Sequence, residues 1–91
     1  MIRTFADSAT AKFWKTGKSS KGWPNAPAKR KLQMLDQANE LRDVATAGNR
    51  LEKLAGNRKE QYSIRVNDQY RVCFDWEDGD AYNVEITKHY D

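Results

Sequence analysis

After Gly56 the apolar side chains stop recurring every third or fourth residue and begin to alternate. That change of period limits the fold more than any other feature of the 91 residues. Tyr62, Ile64 and Val66 fall on one face of a strand, with Ser63 and Arg65 on the other. Asn67-Asp68 follows, two residue types that tolerate turn geometry. Tyr70, Val72, Phe74 and Trp76 form the apolar side of a second strand, opposite Arg71, Cys73 and Asp75. Glu77-Asp78-Gly79-Asp80 is another hairpin signal, and the last strand sets Tyr82, Val84 and Ile86 against Asn83, Glu85, Thr87 and His89. The pattern predicts a three-stranded antiparallel meander with one face that needs cover.

The first half of the chain can supply that cover. Met1 to Phe5 reads as a short edge strand. Asp7 stands where its carboxylate can cap a helix beginning at Ser8 and stopping near Gly17, with Ala9, Phe13 and Trp14 inward. Residues 17–27 are turn-rich. A longer helix is expected over residues 28–44, because Leu32, Leu35, Ala38, Leu41 and Ala45 share one stripe before Gly48 and Asn49 break it. An N-terminal strand, two helices and a meander predict an α+β fold with both helices on one sheet face, in a single domain spanning residues 1–91.

No apolar run approaches the ~20 residues of a bilayer-spanning helix, and the first residues lack the apolar region of a secretory signal. Cys73 is the only cysteine, so no internal disulfide or cysteine-based zinc cluster can form. These features point to a reducing, cytoplasmic setting. Charge is unevenly spread. Residues 1–60 hold thirteen basic and six acidic side chains, a balance of +7, whereas residues 61–91 hold three and seven, a balance of −4. Lys12 to Lys31 contains seven cations and no acidic residue, which suits a polyanion such as RNA and marks Lys18 and Lys21 as candidate contacts. Trp23, before Pro24 in this loop, can either stack on a base or anchor the loop to the core.

If the helices cover the apolar face, Arg65, Arg71, Glu85, Thr87 and His89 converge on the other. Guanidiniums hold phosphate oxygens and stabilise charge developing on them, and an imidazole moves a proton at neutral pH. His89 is the only histidine, so a metal site would have to rely on carboxylates, and Asp78 and Asp80 are better explained by turn chemistry. Phosphate-binding glycine loops are absent.

The strings Gly48-Asn49-Arg50-Leu51-Glu52-Lys53-Leu54, Gly56-Asn57-Arg58, Gln61 to Phe74 and Asn83-Val84-Glu85-Ile86 closely resemble HigB-type toxins, the plasmid-maintenance killer proteins of the RelE/ParE superfamily. The resemblance implies a cytoplasmic toxin that enters the ribosomal A site and cleaves mRNA without a metal or other cofactor. It also implies a helix-turn-helix antitoxin of the HigA type, through which the pair meets operator DNA, and no membrane partner. The implied chemistry is attack of a ribose 2′-hydroxyl on the adjacent phosphate. Arg71 matches the family arginine that stabilises the phosphate, while Arg65, Arg58 and Arg50 would contact the message or ribosomal RNA. The family lysine of Leu-Lys-Gly is Ala55 here, and strand parity offers Lys53 in its place. The family ending Asp-Tyr-His appears as Lys88-His89-Tyr90. Parity favours His89 as proton carrier and alignment favours Tyr90. An imidazole titrates near neutrality and a phenol near pH 10, which supports His89 and leaves Tyr90 for stacking or for orienting the 2′-hydroxyl. Glu52 is an alternative base. Two other readings stand beside this one: a ParE-like gyrase poison, since one fold hosts several activities, and a non-catalytic member that only binds antitoxin or RNA.

Overall fold

In the structure, a computed structural model describing residues 1–19, 21–54 and 61–88, the two helices come first. Helix α1 spans Ser8–Thr16 and begins as expected, with the Asp7 carboxylate accepting from the Thr10 N–H at 2.7 Å. It ends at Gly17, whose φ of 76° closes the last turn by donating to the Phe13 carbonyl. Its inward side is Thr10 and Phe13, both fully buried, while Ala9 and Trp14 are only partly covered.

Helix α2 spans Asn25–Gln37, starting earlier and stopping seven residues sooner than the apolar stripe suggests. The stop is local chemistry. The Asp43 carboxylate accepts from the Asn39 and Glu40 N–H groups, each at 3.0 Å, so the chain turns extended at Ala38 and restarts as a 3-10 turn, Leu41–Val44. Val44 is buried as a result and Ala45, expected on the stripe, is exposed. These hydrogen bonds from Glu40 and then Asn39 hold the Asp43 carboxyl below its ordinary 3.8. Stability from such a group is complete above the ordinary value and is lost as pH falls through the folded one. Asp43→Asn should therefore lower the urea midpoint at neutral pH, with the gap to wild type closing below pH 3.8; a pH-independent gap would contradict this.

The sheet has four strands rather than three, in the order β1 (Glu52–Lys53), β2 (Gln61–Arg65), β3 (Tyr70–Glu77), β4 (Asp80–Lys88), every neighbouring pair antiparallel. The extra edge strand, β1, is only two residues long. The N-terminal segment is not a full strand. It forms isolated parallel bridges, Ile2 to Ala81 and Phe5 to Val84. Between them the Asn83 N–H turns to the Thr4 hydroxyl at 2.8 Å, so the ladder does not run on.

Asn83 is also where β4 departs from simple alternation. Cys73 pairs with Glu85 but Asp75 pairs with Tyr82, leaving two β4 residues opposite Phe74 alone. This bulge, with Asn83 at φ 52°, shifts the parity of β4 by one. Tyr82 consequently shares the face of Asp75, not that of Val84 and Ile86 as alternation had it. On the helix side, Ile64, Val72, Phe74, Val84 and Ile86 meet Phe13, Leu32 and Leu35 in one cluster.

The β3–β4 hairpin turns on Asp78 and Gly79, both with positive φ (51° and 83°). A Cβ on Gly79 would stand 3.1 Å from the Asn39 carbonyl oxygen, backbone that has little room to move. Gly79→Ala combines that contact with left-handed strain and should cost about 1–2 kcal/mol in chemical denaturation; an unchanged midpoint would show that the hairpin relaxes freely.

Candidate functional site

The sheet face turned away from the helices carries Glu52 from β1, Gln61, Ser63 and Arg65 from β2, Arg71, Cys73 and Asp75 from β3, and Glu85 and Thr87 from β4. The register sets Glu52 opposite Ser63, Ser63 opposite Cys73, Arg65 opposite Arg71, and Arg71 opposite Thr87. The face is not bare: Gln61, Ser63 and Cys73 are buried within it.

Arg71 is the centre of the arrangement. Its side chain is only 12% exposed, and its Nη1 donates to the Ser63 hydroxyl at 3.2 Å and lies 3.5 Å from the Glu52 carboxylate. Arg65, directly across the β2–β3 ladder, is paired with the Asp68 carboxylate from the connecting turn. Two arginines facing each other across a ladder repel and disfavour the sheet. Here their answering carboxylates, Glu52 and Asp68, are largely exposed, so an incoming anion can displace them at small cost. The far end of the same face is polarised the other way. The Asp75 carboxylate accepts from Asn83 Nδ2 at 2.8 Å and Gln61 Nε2 at 3.4 Å.

The short strand that brings Glu52 to Arg71 is tied down by Asn49. This fully buried side chain accepts from the Lys31 ammonium and donates to the Val44 carbonyl at 3.0 Å and toward the Met34 sulfur at 2.9 Å. Arg50, in a left-handed conformation at φ 46° and exposed, then turns the chain into β1. Burial lowers the Lys31 pKa, as do the charges of Arg30 and Arg65, so the α2 cations and the β2 guanidinium act on one another. Neither Ser63 nor Lys31 was singled out from sequence. Ser63 shares the parity of Arg65, which was the available signal, whereas only packing brings Lys31 to this end of the sheet.

The other expected residues are distributed as follows. Lys53 pairs with Tyr62 and so takes the opposite parity to Glu52; in a two-residue strand the alternation that had aligned Lys53 with position 55 instead brings Glu52 to Arg71. Lys18 and Lys21 are exposed and line a hollow of about 420 Å³ with Lys12, Thr16 and Ser19, apart from Arg71. Trp23 anchors its loop: its ring meets Phe13 edge-on with centroids 5.7 Å apart. Its remaining surface, with Lys21, borders a cleft of about 500 Å³ that reaches Tyr70, Thr87 and Lys88 at the end of β4. Arg58, His89, Tyr90 and Ala55 lie outside the described residues.

Paired guanidiniums, one braced by a hydroxyl and flanked by a carboxylate, define a surface suited to a phosphodiester. The chain belongs to the RelE-like toxins of the HigB type II toxin–antitoxin family, whose profile it matches over residues 3–89. It is 39% identical over 93 residues to Toxin HigB-1 of Vibrio cholerae serotype O1, covering 98% of each chain. An uncharacterized protein of Haemophilus influenzae is 30% identical over 89 residues, covering 93% of this chain and 88% of that one. The protein is therefore the toxin component of a type II toxin–antitoxin system, and an antitoxin is its partner by class.

Proposed function

We propose that this toxin acts in the cytoplasm as a single domain of residues 1–91 and cleaves mRNA on the ribosome. The observation that carries the reading is the facing pair Arg65 and Arg71, with Glu52 3.5 Å from Arg71. A scissile phosphate laid over this pair replaces the exposed carboxylates as the anionic partner. The ribose 2′-oxygen attacks phosphorus, the P–O5′ bond breaks, and a 2′,3′-cyclic phosphate and a 5′-hydroxyl result. Arg71, held in place by Ser63, stabilises the extra negative charge of the phosphorane. In the sequence His89 comes two residues after Thr87, the β4 partner of Arg71; it serves as proton carrier, and Tyr90 orients the ribose or stacks on a base. In this reading Glu52 accepts the 2′-hydroxyl proton and His89 gives one to the departing 5′-oxygen. Arg65 and Lys31 hold the flanking backbone, while Arg58 and Arg50 extend the contact toward message or ribosomal RNA. The reaction uses no metal, since the guanidiniums neutralise the charge a metal would otherwise meet.

The direct test is purified toxin on ribosomes programmed with a defined mRNA, with product ends mapped at nucleotide resolution. Cyclic-phosphate ends at A-site codons are expected, and no cleavage of the same mRNA without ribosomes. DNA breaks on incubation with gyrase and intact mRNA would replace this reading with a gyrase poison. Among single variants, His89→Ala and Glu52→Gln are each expected to lower the single-turnover rate about 100-fold or more. Rates within a factor of two of wild type would remove the residue concerned from proton transfer.

A further inference from the structure

We infer that the groove between the N-terminal segment and α1 is a docking site for an acidic, amphipathic helical segment of the antitoxin. The inference rests on family membership, which implies an antitoxin, and not on the cleavage chemistry. The groove, of about 680 Å³, is lined by Phe5, Ala11 and Trp14 with Lys12 and Lys15 at its sides. Two of its five lining residues are aromatic, and its only charged ones are lysines. Phe5 and Trp14 pack against the core from one side and are only partly buried, so each keeps apolar surface toward the groove. On a nine-residue helix that already turns Thr10 and Phe13 inward, Ala11 and Trp14 form a second, partly buried apolar stripe along the groove.

Charge selects the kind of partner. Lys12 and Lys15 are both exposed and three residues apart, hence neighbours on the helix surface. From Ser8 to Leu35 the sequence has no acidic residue to answer them. A helix seating one or two apolar side chains between Phe5 and Trp14, with carboxylates a turn apart against the two ammoniums, matches both features. RNA would meet the lysines but has nothing to gain from the two rings unless a base is splayed onto them.

The test is titration of the full-length toxin with its purified cognate antitoxin, read by Trp fluorescence or calorimetry at two salt concentrations. Wild-type binding should weaken with salt, and Lys12→Glu/Lys15→Glu, which alters only exposed side chains, should weaken it about 30-fold or more. Trp14→Ala should weaken it similarly with the salt dependence retained; its helix content by circular dichroism separates docking from unfolding. Antitoxin binding within twofold of wild type in the charge-reversed variant overturns the inference. So does a variant that loses ribosome binding while keeping the antitoxin, which would make the groove an RNA surface. Because binding is read without cleavage, the result stands apart from that of the ribosome experiment.

Discussion

Arg71→Ala should lower the single-turnover rate of mRNA cleavage on ribosomes about 100- to 1,000-fold, the effect of removing one donor aimed at developing oxyanion charge. Arg71→Lys should restore only part of it. An ammonium supplies the charge, but it lacks the planar fork that can bond the Ser63 hydroxyl and still present N–H groups to a phosphate. The loss should appear in the rate at saturating ribosomes more than in ribosome affinity, since Arg71 is 12% exposed at the base of the face and not at its rim. Arg65→Ala, removing the more exposed guanidinium at 32%, should weaken binding of the message as well. Equal losses of affinity and rate in Arg71→Ala, or a rate unchanged within threefold, would mean that the phosphate does not lie over this pair.

Phe74→Ala should cost about 3–5 kcal/mol, a large part of the roughly 5–15 kcal/mol that holds a domain of this kind together. Phe74 is fully buried at the centre of β3, with Leu32, Leu35, Ile64, Val72 and Val84 in the same cluster. Its ring is stacked on Tyr62 at 6.1 Å and meets Trp76 edge-on at 6.2 Å, so the truncation also loses two aromatic pairs. The β4 bulge lies directly opposite. A fall in Tm of about 15 °C or more is expected by differential scanning calorimetry. A fall of a few degrees would show that the helices repack over the gap.

Much of the scaffold behind these predictions could be read from residue order alone. Asp7 and Gly17 bound α1 because capping and left-handed closure are local events, settled within four residues. Strict alternation across a short turn sets Arg65 and Arg71 on one face of β2 and β3, and the register then makes them direct partners. The failures have one kind of cause. Ala45 lies on the predicted stripe, yet the Asp43 carboxylate takes the Asn39 and Glu40 N–H groups that a continuing helix would have used. Tyr82 lies on the predicted face, yet the bulge at Asn83 reverses it. In each place a hydrogen bond or an inserted residue outweighs periodicity, and neither leaves a trace in hydrophobic spacing.

Residue order by itself determined the helix-then-meander plan, the polar side of the sheet with its two arginines, and the cationic stretch from Lys12 to Lys31, because period, turn chemistry and charge are properties of neighbours along the chain. Only the folded chain decided that Glu52 meets Arg71, that Ser63 braces it, that Lys31 reaches this end of the sheet through buried Asn49, and that Phe5 and Trp14 line a groove with two lysines. Those contacts join residues far apart in sequence, and their geometry is set by how helices, strands and a bulge fill one core.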